Sequence, residues 1–492
     1  MNCLRIFVGL VALFSPVLLT VSASAIELLS RDTNGEFSDG FCSVMDITPD
    51  GRFVLFLSTG TDLIVGDDND EFDLFLYDNV SETIERVSLD EGDGEISGGV
   101  ESGGRISDDG NRILFISDDA NVVTGDMNGL KDVFLRDRTG GGSTVRVSVP
   151  NGGGEYEAGD IQGFDISGDG AFVAFVSDSD DFVMGDSNGT KDVFRHEVDG
   201  GATIRVSVTD GEMESAGSCD SPSISDDGNK IAFLSTGSDL VGNDMNGHRD
   251  TFVRDVIGGT TTRVSLTSAG GEALNGGTNE GCVISGNGNV VAFGSSATNM
   301  VAGDTNGITD VFVRDLVSNT TERVSVSNTG QQADQFTSFP SISQNGRFVG
   351  FSSSATTLDS RFVGPFSAGF LHDRVTKTTA TVNIGESGEF GIGNFGGSGS
   401  SIPYLANNGE HVFDSGGTNM LVGGTTENSD VYQSDFVPKV VAVDNSALRA
   451  RLLKKLKRFK KKLKNAKRKR QVAKVKKFKK KIKKVKKQLR RL

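Results

Sequence analysis

Tryptophan is absent from the 492 residues, and proline (8), cysteine (4), histidine (4) and tyrosine (4) are scarce. Without tryptophan and with so little tyrosine, the usual aromatic platforms of a carbohydrate site are missing. The histidines His196, His248, His372 and His411 are scattered with no metal-ligand spacing, which argues against a zinc-type centre. His196 and His372 stand where other copies of the repeat described below carry arginine, and read as substitutions on a surface. Cys3 falls in the leader, leaving Cys42, Cys219 and Cys282, an odd number that excludes a fully paired disulfide framework. Cys219 and Cys282 lie near the start of the same strand in neighbouring repeats; a bridge between them is open, with small buried side chains the preferred reading. There is no G-x-S-x-G turn for a serine nucleophile, and no apolar run beyond the first 25 residues is long enough to span a bilayer.

Acid is missing from the basic C-terminal stretch. Residues 449–492 hold 26 Lys and Arg and no Asp or Glu, leaving 24 basic against 66 acidic residues elsewhere, a balance of −42. The chain therefore reads as an acidic body with a basic tail. Residues 1–25, with one arginine, an apolar run and Ala23-Ser24-Ala25, have the form of a secretory signal peptide cut before Ile26. The mature protein is expected to be exported: periplasmic, at the cell surface or extracellular.

What is abundant is glycine (64) and phenylalanine (32), and both follow a repeat. Its clearest copy is Ile284–Val326. An I-S-x-x-G turn leads into an apolar run with Phe; then come a D-x-N-G-x-x-D loop, a second apolar run ending in an acid, and R-V-S. The turn recurs at Ile47, Ile106, Ile166, Ile224, Ile284, Ile342 and, worn, at Leu405, in steps of 58 to 63 residues. Each unit reads as four short strands, and seven units make a seven-bladed β-propeller, an all-β fold. The seventh unit lacks a fourth strand, while Leu28-Leu29-Ser30 looks like an orphan R-V-S strand. The N-terminal strand is therefore expected to close the ring. The domains are a signal peptide (1–25), the propeller (26–438), a linker (439–446) and a Lys/Arg-rich amphipathic helical tail (447–492).

The stretch SPSISDDGNKIAFLS at Ser221–Ser235 and the run DVFVRD at Asp310–Asp315 resemble the TolB-like, WD-repeat-like propeller repeats of exported bacterial proteins. The resemblance spans residues 26 to 438 and implies the fold. It leaves function open, since propellers of this kind serve many roles.

Candidate sites fall in two places. The loops Asp126/Asn128/Asp132, Asp186/Asn188/Asp192, Asp244/Asn246/Asp250 and Asp304/Asn306/Asp310 supply oxygen ligands around a glycine bend, as Ca²⁺ requires, or else shape turns through Asx hydrogen bonds. The turn-forming role is preferred, with Ca²⁺ the only cofactor in view. The second is the tail, where Lys454, Lys455, Lys457, Arg458, Lys460, Lys461, Lys476, Lys477, Lys479 and Lys480 are expected to bind a polyanion: anionic envelope polymer or lipid first, nucleic acid second. The long-loop face is expected to hold an unidentified protein partner. These features favour an exported, non-enzymatic binding or scaffold protein. One alternative is a propeller hydrolase or lyase with a channel site, against which stand innermost strands carrying mainly Ser, Ile and Gly. Another is a self-assembling oligomer held by acidic-ring and basic-tail contacts.

Overall fold

The computed structural model describes residues 26–101, 103–359, 367–382, 402–415, 420 and 429–435. The signal-peptide reading and the basic tail lie outside them. The described chain forms seven four-stranded antiparallel sheets. The fourth sheet is representative. Cys219–Ile224 lies innermost, followed by Lys230–Ser235, Asp250–Asp255 and Thr260–Arg263. The expected seven blades are therefore present.

The phenylalanine pattern explains why the blades are alike. The second and third strands pair directly at Phe56↔Phe75, Phe115↔Phe134, Phe175↔Phe194, Phe233↔Phe252, Phe293↔Phe312 and Phe351↔Phe370. Phe413↔Tyr432 takes this place in the last blade. The rings stack at centroid separations of 5.5–6.1 Å and are fully buried. Each ring adds about 2–3 kcal/mol of burial, plus roughly 1 kcal/mol for its aromatic partner.

The last sheet is completed from the N-terminus. Glu27 and Leu28 pair with Gln433 and Tyr432. Ser30 Oγ donates to Asp430 at 3.0 Å and accepts the Val431 amide at 3.0 Å. Ser325 repeats this with Asp310 and the Val311 amide, as do Ser88, Ser148, Ser207 and Ser265 in the first four blades. Leu28-Leu29-Ser30 is thus the missing R-V-S strand, and the ring closes as expected.

Candidate functional site: the channel and the arginine-centred loops

Asp126, Asp186, Asp244 and Asp304 open their loops, and Asp132, Asp192, Asp250 and Asp310 close them at the start of the third strand. Between each pair lies the arginine of R-V-S. Arg205 Nη1 is 2.9 Å from Asp186, 3.4 Å from Asp192 and 2.9 Å from Glu214. Arg146 holds Asp126, Asp132 and Glu155, and Arg263 holds Asp244, Asp250 and Glu272. Arg323 holds Asp304 and Asp310, with Gln332 as third partner. In the first blade Asp67, Asp73 and Glu95 converge, their carboxylate oxygens within 4.8 Å of one another, with Arg86 among them.

This is an acidic cluster with the donor chemistry of a divalent-cation site, and the cation the chain itself places there is a guanidinium. The asparagines act on the loop. Asn188 Nδ2 donates to Asp192 at 2.9 Å, and its Oδ1 accepts the Thr190 amide at 2.8 Å. Asn128, Asn246 and Asn306 do the same.

The third partner was missed in the sequence, although it follows its arginine by nine residues each time: Glu95, Glu155, Glu214, Glu272 and Gln332. A small hairpin brings it back, through bridges such as Val208↔Glu214 and Leu266↔Glu272. Three acids around one arginine leave excess negative charge. Burial, reinforced by Asp192, pushes Asp186 up to about 6, and burial does the same to Asp132.

His196 and His372 are corrected: both are buried. Their Nδ1 atoms meet Thr203 at 2.9 Å and Thr379 at 2.8 Å. Arg136, Arg254 and Arg314, which hold this position elsewhere, are buried as well. The position belongs to the blade interior. Cys42, Cys219 and Cys282 are unpaired and buried. Cys219 Sγ donates to Ser235 Oγ and Cys282 Sγ to the Ser221 carbonyl, each a small side chain filling its own site.

The axis of the ring contains a cavity of about 650 Å³, lined by the innermost strands. The residue just before each repeat's Ile or Leu faces it, among them Asp46, Arg105, Asp165, Ser223, Ser341 and Tyr404. This corrects the expectation that these strands carry mainly Ser, Ile and Gly. Arg105 Nε lies 3.6 Å from Asp165, and Tyr404 shares the cavity wall with it. Burial works against the Arg105 charge, and Tyr404, Asp165 and Asp46 outweigh it. Burial pushes Asp46 up to about 6 against the pull of Arg105.

Asp46 accepts the Ile47 amide at 2.9 Å and the Ile106 amide at 3.2 Å, which ties the first blade to the second. Those bonds use two of the roughly four acceptor positions of a carboxylate. Asp165 ties the third blade to the fourth through the Ile224 amide at 2.9 Å.

The two ends of the cavity differ. Toward the long loops stand Lys191, bonded to Gln162, and Asp220, paired with Arg249. Lys191 has no carboxylate partner among the described ion pairs. At the short-turn end, Gln344 donates to Asp108 and accepts from Asn407 Nδ2 at 3.2 Å. Asp108 is in the second blade and Gln344 in the sixth, with at least two blades between them either way round, so this bond crosses the axis. Asp226 adds a further acid near this end, its carboxyl pushed up to about 6 by burial and by Asp108.

No protein-family model matches the sequence, and neither does any curated protein. Solved structures do resemble it. An oligogalacturonate lyase from Vibrio parahaemolyticus has a TM-score of 0.51 at 11% identity over 84% of this chain and 97% of that one. An oligogalacturonate lyase in complex with manganese gives 0.49 at 12% over 84% and 96%. The putative TolB from Agrobacterium tumefaciens gives 0.39 at 16% over 81% and 99%. At these identities the likeness is one of fold alone.

The expectation of a non-enzymatic binding ring is corrected here. Enzymes stand among the similar structures, and the ionisable convergence that was expected to be missing from the innermost strands is present at Asp46, Arg105, Asp165 and Tyr404. The chain is a seven-bladed propeller with an ionisable cluster in its axial channel.

Proposed function

We propose that this chain is a channel-site enzyme of the lyase or hydrolase class, with Asp46 as general base or acid and Arg105 as the charge that holds and polarises the substrate. The observation that carries the reading is the placement of Arg105 among Asp46, Asp165 and Tyr404 inside the channel. A base whose pKa lies near working pH beside a fixed cation is what proton abstraction next to a carboxylate or carbonyl requires. In an elimination, the carbon-bound proton passes to Asp46, the electron pair forms the double bond, and the sugar oxygen leaves. Oligogalacturonate, the substrate named for the similar lyase, is the first compound to try; neutral glycans, esters and peptides follow.

The test is turnover by the purified chain and by Asp46→Asn, which keeps the side chain's shape and one of the two oxygens that accept the Ile47 and Ile106 amides. We expect kcat/KM to rise with pH through a midpoint of about 6 and to fall at least 100-fold in Asp46→Asn, within the range of a lost general base. Equal turnover by the two proteins would end this reading.

A divalent cation, Ca²⁺ included, belongs in this proposal at the acidic clusters, where it would compete with arginine. Arg86→Ala should then gain more thermal stability from millimolar Ca²⁺ than the natural chain does. Export, and contact of the segment 449–492 with an anionic polymer or lipid, complete the proposal; loss of anionic-vesicle binding on its removal is the check.

A further inference from the structure

The innermost strands of the fourth, fifth and sixth blades share a bulge. Their pairing with the second strand slips between Asp220 and Ser223, between Thr278 and Cys282, and between Ser338 and Ser341. Three residues before the terminal Ile the backbone turns left-handed: Gly103 (φ 76°), Ser221 (φ 54°), Gly281 (φ 82°) and Phe339 (φ 51°). Glycine takes this conformation freely, whereas a bulky L-residue there is strained. In the sixth blade the strained residue is a phenylalanine. A Cβ built on the corresponding Gly281 meets nothing within 4 Å, so packing in that neighbouring blade does not require a side chain. Nor is the Phe339 ring covered: it is 46% exposed and lines the channel cavity. The chain therefore accepts backbone strain and leaves an aromatic ring facing a polar cavity. Strain of this sort concentrates where a ligand is held.

We propose that Phe339 is the ring-binding platform of the channel, stacking against the apolar face of a pyranose. The surrounding polar groups, Gln162, Lys191, Asp220, Glu280 and Ser341, would bond its hydroxyls and any carboxylate. The cavity of about 650 Å³ has the size of an ordinary small-ligand pocket. The Gln344–Asp108 bond across its far end makes the long-loop side the way in. Short saccharides or chain ends are then the substrates. This inference rests on the channel being the working site, and names its substrate class.

The test uses the missing tryptophan. Phe339→Trp in the full chain introduces a single fluorophore at the platform. Trigalacturonate, cellotriose and chitotriose are titrated in turn, and at least one is expected to change the emission saturably. For that sugar, Phe339→Ala should weaken binding by calorimetry at least tenfold, while Phe336→Ala, an exposed ring outside the cavity lining, leaves it unchanged. Phe339→Gly should also lose binding yet unfold at a higher temperature than the natural chain, because the left-handed strain is relieved. Folding damage would move both quantities down together. No response from any of the three sugars, undiminished binding by Phe339→Ala, or a lowered unfolding temperature in Phe339→Gly would each overturn the platform. Sugar binding that depends on Phe339 without Asp46-dependent turnover would overturn the enzymatic reading alone. Turnover with an unchanged KM in Phe339→Ala would overturn this inference alone.

Discussion

Arg205 shows how a single residue serves two ends. Its side chain is 9% exposed, and the aspartates it holds are more deeply buried still. A buried guanidinium amid three carboxylates is costly to assemble, but removing it leaves three acids facing one another. Arg205→Met should therefore destabilise the ring by about 3–5 kcal/mol, read as a lowered denaturation midpoint. The triple variant with Asp186→Asn and Glu214→Gln should recover part of that loss, since the repulsion goes with the charges. Asp414 is the opposite case. It sits in the second strand of the last blade with no arginine paired to it among the described ion pairs. Burial pushes it up to about 7. Its ordinary value is 3.8, so folding favours the protonated acid. The stability that this proton brings is full below pH 4 and is lost as pH rises through 7. Asp414→Asn should raise stability at pH 8 by roughly 1–3 kcal/mol and have little effect at pH 5, as thermal unfolding at the two pH values would show.

At the scale of the element, the N-terminal strand does the work of a fourth strand from the far end of the chain. Ser30→Ala removes a donor to Asp430 and an acceptor for the Val431 amide. Two buried partners lost should cost about 2–4 kcal/mol, and amide exchange should quicken first at Val431 and Tyr432. Exchange that stayed uniform around the ring would count against closure as the weak point. Closure was legible in the sequence because Leu28-Leu29-Ser30 copies the R-V-S pattern, and the turn and Phe signals gave the remaining strands. The channel was not legible. Its chemistry sits at a position that varies from blade to blade: Asp46, Arg105, Asp165, Ser223, Val283, Ser341 and Tyr404 share a register but no single residue type. They meet only when seven innermost strands surround one axis, a juxtaposition no local window contains. The Asp loops could be read as motifs, yet their cation comes from a strand 13 to 20 residues further on. Phe339 looked like one more of 32 phenylalanines; only its backbone angle and exposure set it apart.

The whole molecule carries more acid than its arginines neutralise, and burial gives that excess a definite pH signature. Asp46, Asp67, Asp132, Asp186 and Asp226 are all pushed up to about 6, chiefly by burial. The acids that work in the other direction, Asp78 and Asp373 beside Arg52 and Arg347, are held below the ordinary carboxylate range. They stay ionised, folded or unfolded, at any pH above about 5, and so drop out of the comparison. Between pH 5 and pH 8 the raised acids hold protons in the native ring that the unfolded chain has lost, while His196 and His372, which burial holds below the ordinary imidazole value, work in the opposite sense. The acids outnumber the two histidines, so stability should fall overall as pH rises. The melting temperature should be several degrees higher at pH 5.5 than at pH 8, as scanning calorimetry of the full chain would show. Added salt should reduce the difference only in part, because screening reaches exposed charges more readily than buried ones. The same buried acids set the activity profile in the opposite sense if Asp46 acts as a base. The enzyme would then be most stable where its base is protonated and most active where the ring is least stable. Asp46→Asn separates the two: it should leave most of the stability slope in place, since the other acids still titrate, while removing the pH dependence of turnover together with the turnover itself.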